Sequence, residues 1–103
     1  MSTFNGSEGA FIQLSTASTW TKKYRDENEG EPLAIFYGKA KLNELLNQTD
    51  CVGIRVYFAT DADGNKQLVL VGAKANMDDI TTLVLDSGKK CPDYCSAQNA
   101  LNS

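Results

Sequence analysis

Cys51, Cys91 and Cys95 are the residues of this chain best equipped for chemistry. Cys91-Pro92-Asp93-Tyr94-Cys95 is a C-x3-C spacing, one residue longer than the C-x2-C of thioredoxin-like enzymes and zinc knuckles. Two such thiols meet if the loop between them curls, and Pro92 favours the curl. Two roles follow. With Cys51, and with Asp93 as a fourth ligand, the thiols would form a metal or redox centre. The plainer role, and the favoured one, is a tail pinned by a disulfide or by two buried thiols. The chain has no histidine. That excludes a Ser-His-Asp or Cys-His site within it and any His-ligated zinc, because histidine is the usual general base and the commonest metal ligand.

A second group is Arg55, Tyr57 and Lys66, with Lys74 nearby. Arg55 and Tyr57 share one face of the best strand, where an exposed, partly aromatic surface would suit an anion or a protein partner; the plainer role is a solvated sheet face or a strand covered by the tail. Asp61-Ala62-Asp63-Gly64-Asn65 has the look of a calcium loop. However, its glycine comes at the fourth position and Gly72 stands at the twelfth, so the expected role is a hairpin turn. Asp26-Glu27 and Asp78-Asp79 are read as solvated charges. Trp20 and Tyr24, at helical spacing, are read as core.

The elements that must hold these residues follow from periodicity. Ser15 reads as an N-cap, and Ala17, Trp20 and Tyr24 line one face of a helix over 16–27 that stops before Gly30 and Pro32. Phe11 to Leu14 would anchor that end as a short strand or a hydrophobic staple. Leu33 to Tyr37 is an apolar run that periodicity cannot assign to strand or helix. Leu42, Leu45 and Leu46 mark a second helix over 39–48. Val52, Ile54, Val56 and Phe58 alternate with Gly53, Arg55, Tyr57 and Ala59, which is strand period. The Asp-Gly turn then leads into strand 67–73, and a turn over 76–79 leads into strand 80–85. The expected class is α+β: two helices packed on a small antiparallel meander of three to four strands. Residues 1–10 read as a flexible lead-in, 11–88 as a single domain, and 89–103 as a polar, loop-like tail.

The net charge of −3 gives no basic stripe for nucleic acid. No apolar run approaches a membrane span. The first residues have neither a basic n-region nor an apolar h-region, so the expectation is a soluble cytoplasmic protein with thiols reduced by default.

The segments Trp20-Thr21-Lys22-Lys23-Tyr24-Arg25, Cys51 to Phe58, Gln67 to Ala73 and Cys91-Pro92-Asp93-Tyr94-Cys95 together resemble a group of small, uncharacterised proteins of Bacteroidetes-type bacteria. The resemblance spans residues 12–101 and implies a bacterial single-domain protein, with no activity to transfer. Lys74 and Met77 depart from the pattern, where Asp and Gly are expected, which removes an acidic ion site there. The expected function is a non-enzymatic binding module with no cofactor. It would recognise a protein partner or self-associate, in a bacterial or phage system, through Arg55, Tyr57 and Lys66. The alternative is a small-molecule, metal or redox-responsive domain centred on Cys91, Cys95 and Cys51.

Overall fold

A computed structural model describes residues 3–102. The elements are α1 (Leu14–Glu27), β1 (Ala34–Phe36), α2 (Lys39–Leu46), β2 (Cys51–Thr60), β3 (Lys66–Lys74), β4 (Asp79–Leu85) and β5 (Lys89–Cys91). An antiparallel sheet in the order β2-β3-β4, a second antiparallel pair β1-β5 and two helices make the fold α+β, as the periodicity predicts. The chain divides into two compact units, Met1–Gly9 with Tyr37–Gly88 and Ala10–Phe36 with Lys89–Ser103.

The first unit is built on the β2-β3 hairpin. Its turn is held by Asp61, whose Oδ1 accepts the N–H groups of Asp63 and Asn65, both at 2.9 Å, while Oδ2 accepts Gln67 Nε2 at 2.8 Å. Gly64 takes φ +85° in this turn, a conformation glycine adopts without steric cost. The register runs Thr60↔Lys66, Phe58↔Leu68, Val56↔Leu70 and Ile54↔Gly72, then slips at Val52, where a bulge lets Cys51 face Lys74. Directly paired residues share a face, so Ile54, Val56, Phe58, Leu70 and Gly72 lie on one side. Arg55, Tyr57, Val69, Val71 and Ala73 lie on the other.

Helix α2 covers the first of these sides at its Gly72 end. A methyl group on Gly72 would sit 3.3 Å from the Leu45 carbonyl oxygen, so glycine is what lets the helix backbone approach the strand. Leu45 is 2% exposed, and with Leu70, Val71 and Ala73 it makes up the buried apolar residues of this unit. Each large side chain so buried stabilises by about 1.5–3 kcal/mol. The helix has 8 residues and is about 12 Å long, against about 33 Å for the 10 residues of β2. It therefore leaves the far end of the hairpin uncovered, and Phe58 is 91% exposed there.

In the second unit, β1 settles the ambiguous run over 33–37 as strand. It pairs with β5 through Ala34↔Cys91, Ile35↔Lys90 and Phe36↔Lys89. Residues 89–91, read from sequence as loop, are strand because β1 supplies a partner no local pattern reveals. A disulfide joins Cys91 to Cys95, the first of the two forms expected of a pinned tail, and it takes these two thiols out of the reduced default. Helix α1 begins two residues earlier than the spacing predicts. Gln13 is its N-cap, its carbonyl accepting the Ala17 N–H at 3.1 Å, and no side chain caps it; Ser15 is already helical. None of its residues is buried, and Trp20 is 61% exposed, which overturns the core assignment of Trp20 and Tyr24. Phe11 and Ile12 are likewise exposed and form neither strand nor staple.

Candidate functional site

Arg55 and Tyr57 are brought together on the side of the sheet opposite α2, and Asp79 of β4 joins them across β3. Arg55 Nη1 donates to Asp79 Oδ1 and, at 3.0 Å, to the Met77 carbonyl, while the Tyr57 hydroxyl donates to Asp79 Oδ2. The register sets Asp79 beside Ala73 and Arg55 beside Val71, so these side chains bridge the middle strand where Val71 and Ala73 are 4% and 3% exposed. The Arg55 and Asp79 side chains themselves remain 32% and 22% exposed. The Phe4 ring stacks 5.4 Å from the guanidinium carbon on a segment tied to the unit by Phe4 N–H to Ala75 O at 2.7 Å.

The electrostatics follow the bonding. The Tyr57 hydroxyl, followed by the Arg55 hydrogen bond and charge, holds the Asp79 carboxyl below its ordinary value. The same bond to Asp79 raises Tyr57, and hydrogen bonding to Asp79 raises Arg55. Asp79, read from sequence as a solvated turn charge, is thus the hub of the cluster. Its position just after the turn over 76–78, at the start of a strand, was the signal available. Lys66 is not part of this group. It pairs with Thr60 at the hairpin tip, on the opposite side of the sheet from Arg55 and Tyr57.

The second feature is the outer edge of β2. Asp61 N–H donates to Asn65 O at 2.9 Å, which makes that facing pair a hydrogen-bonded one. Counting back along the register, the odd-numbered residues Ala59, Tyr57 and Arg55 exchange backbone bonds with β3. The far side of β3 agrees. Lys74 N–H donates to Asp78 O at 2.9 Å, which turns the even residues of β3 toward β4 and its odd residues toward β2. Ile54, Val56 and Phe58 therefore aim their N–H and C=O groups away from β3, along an edge that no strand of the described residues covers. Their side chains are apolar, with Val56 45% exposed beside the exposed Phe58. The opposite edge is different: β4 pairs through Leu85↔Leu70 and Ile80↔Gly72, and the four residues between bulge past Val71 alone.

Beside the first half of this edge lies a groove of about 390 Å³ that reaches onto the Arg55 side of the sheet, with Val52 to Val56 and Ala73 on one wall and Phe4, Gly6 and Glu8 on the other. Gly6, at φ +90°, passes so close that a methyl group there would lie 3.2 Å from the Val52 carbonyl oxygen. Glu8 braces the segment by accepting the Asn5 and Gly6 N–H groups, each at 2.9 Å. The Asn5 N–H contributes most to lowering its carboxyl below the usual value.

The cysteines do not form the three-thiol centre that their number allows. Cys91 and Cys95 are consumed in the disulfide, and Cys51 Sγ donates to Gly53 O at 3.2 Å. Among the described residues no group of three or more Cys, Asp or Glu side chains converges to hold a metal. Nor is any described helix long and apolar enough to cross a membrane. Comparison with models of known protein families, with curated proteins and with solved structures gives no match.

Proposed function

We propose that this protein is a recognition module that binds other polypeptide by adding an extended strand to the outer edge of β2. The observation that carries the reading is the set of unpaired backbone groups on Ile54, Val56 and Phe58, flanked by apolar side chains that α2 is too short to cover. An exposed edge is a template for pairing. Proteins that need to avoid this blunt the edge with a bulge, a proline or charges. The β4 edge is bulged, while β2 from Gly53 to Thr60 is regular, has no proline and carries Arg55 as its one charged residue. Backbone hydrogen bonds supply affinity in this mode, and alternate side chains supply specificity.

Arg55 and Tyr57 contribute here by fixing the strand, since their shared carboxylate on β4 locks β2 across the sheet. The test is selection of binders from a library of extended peptides, followed by amide exchange of each complex. Bound peptide should slow exchange at Ile54, Val56 and Phe58. Binders that instead protect only α1 or the Cys91–Cys95 loop would contradict the proposal.

A further inference from the structure

The two halves of β2 differ in a way that makes the strand complementary to itself. Its first half, Val52 to Val56, together with Ala73 of β3, is the wall of the groove facing Phe4, Gly6 and Glu8. Its second half carries Val56, Tyr57 and Phe58, which are 45%, 45% and 91% exposed. A strand residue occupies roughly 160 Å³ at ordinary sheet spacings. The groove thus holds about two or three extended residues.

We infer that the strand received at this edge is β2 of a second copy, antiparallel, with Val56 on the two-fold axis. This rests on the strand-addition reading above and specifies its occupant. Three observations select the arrangement. First, only residues whose backbone groups point outward can form hydrogen-bonded pairs, so Ile54, Val56 and Phe58 must face one another's counterparts. Centring on Val56 pairs Val56 with its copy and Ile54 with Phe58 of the copy, giving about six interchain backbone bonds.

Second, a centre one residue earlier would place Arg55 opposite its own copy, and directly opposed like charges destabilise a strand pair. Centring on Val56 sets Arg55 opposite Tyr57 of the copy. Third, the groove and the exposed half exchange places under the two-fold. Each copy's Val56–Phe58 segment runs along the other's Ile54–Val56 segment, short of Val52 where Gly6 approaches, and Phe58 lies beside Ile54. The interface is isologous and closes at two chains, because the bulged β4 edges at the ends of the resulting six-stranded sheet do not propagate it.

The experiment is sedimentation equilibrium of the full chain over about 1–300 μM, with amide exchange at both ends of that range. The expected mass rises from 11.2 kDa to twice that value with concentration, and exchange at Ile54, Val56 and Phe58 slows in step. Val56→Lys and Val56→Glu each place like charges across the axis and remove two apolar contacts. Each should weaken dimerisation by about a hundredfold. An equimolar mixture of the two variants should restore the dimer, which also shows that both fold.

A chain that stays monomeric with these amides exchanging fast overturns self-pairing and leaves the strand-addition reading standing. A monomer with the same amides protected overturns both. A dimer indifferent to both substitutions, held for instance through the exposed Trp20 face of α1, overturns the self-pairing.

Discussion

Gly72→Ala tests the packing that positions the edge strand. A methyl group at this position would lie 2.9 Å from Cys51 Sγ, 2.9 Å from Gln48 Nε2 and 3.3 Å from the Leu45 carbonyl oxygen. Comfortable carbon contacts begin near 3.5 Å, so the overlaps are about 0.2–0.6 Å or more. Gln48 can swing its amide away at the cost of its bond to Leu45 O, 3.0 Å long. Cys51 and the helix backbone have less freedom. Overpacking of this kind costs about 1–3 kcal/mol, partly offset by about 0.4–1 kcal/mol from a less flexible unfolded chain. The net loss is about 1.5 kcal/mol, or roughly 6–12 °C in Tm for a chain of this length.

Gly53 is the matched control, because it lies on the paired strand and a methyl group there meets nothing within 4 Å. Gly53→Ala should leave Tm unchanged or raise it slightly. Cys51→Ala combined with Gly72→Ala should return part of the loss, with a coupling of about 0.5–1 kcal/mol. Thermal melts by circular dichroism and calorimetry read all five proteins, with the Cys51→Ala single variant completing the cycle. A Gly72→Ala variant as stable as Gly53→Ala would refute the close approach of α2 to β3. Failure of Cys51→Ala to recover any stability would refute the place given to the thiol.

Other consequences can be checked in the same way. Because the folded Asp79 carboxyl lies below its ordinary value of 3.8, its stabilising effect is present above that value and lost as pH falls through the depressed one. Asp79→Asn should therefore flatten the acid limb of a pH–stability curve, and an unchanged limb would remove Asp79 from the centre of the cluster. Tyr57 and Tyr37 both titrate above 10.0, Tyr57 chiefly through its bond to Asp79 and Tyr37 through burial and then Asp86. Stability from Tyr57 is thus present below 10.0 and lost above it, and Tyr57→Phe should delete one late step from an alkaline ultraviolet titration. Reducing the Cys91–Cys95 bond should cost about 2 kcal/mol by loop entropy and open Lys89 and Lys90 to trypsin; unchanged digestion would argue against pinning of β5. Asp61→Ala should cost about 1 kcal/mol, and millimolar calcium should leave Tm unchanged, because the Asp61 carboxylate already serves the turn.

The α+β class was legible because its signals are local. Alternation over Val52–Ala59, the Asp-Gly turn and the Leu42-Leu45-Leu46 stripe each depend on near neighbours in sequence. What escaped depends on pairing. The bulge at Val52 turns Cys51 toward α2, and β5 exists only because β1 lies beside it. Arg55 and Tyr57 were singled out correctly as sharing a face, but the carboxylate that joins them comes from β4, and only the register of three strands reveals it. Lys66 is near them in sequence, but the length of the hairpin turn puts it on the other face. Helical spacing assigns Trp20 to the core, but it says which face of a helix is apolar and not whether anything covers it. The β2 edge was invisible for a related reason: hydropathy marks Ile54, Val56 and Phe58 as inward residues and carries no information about where their backbone groups point.

The outer edge of β2 is open and alternates in its bonding. Residue-resolved amide exchange at a concentration low enough to keep the chain monomeric tests it most directly. Exchange should run within about tenfold of the intrinsic rate at Ile54, Val56 and Phe58, with protection of more than about a hundredfold at Arg55, Tyr57 and Ala59. Uniform protection along β2 in the monomer would mean the edge is covered and would contradict the account.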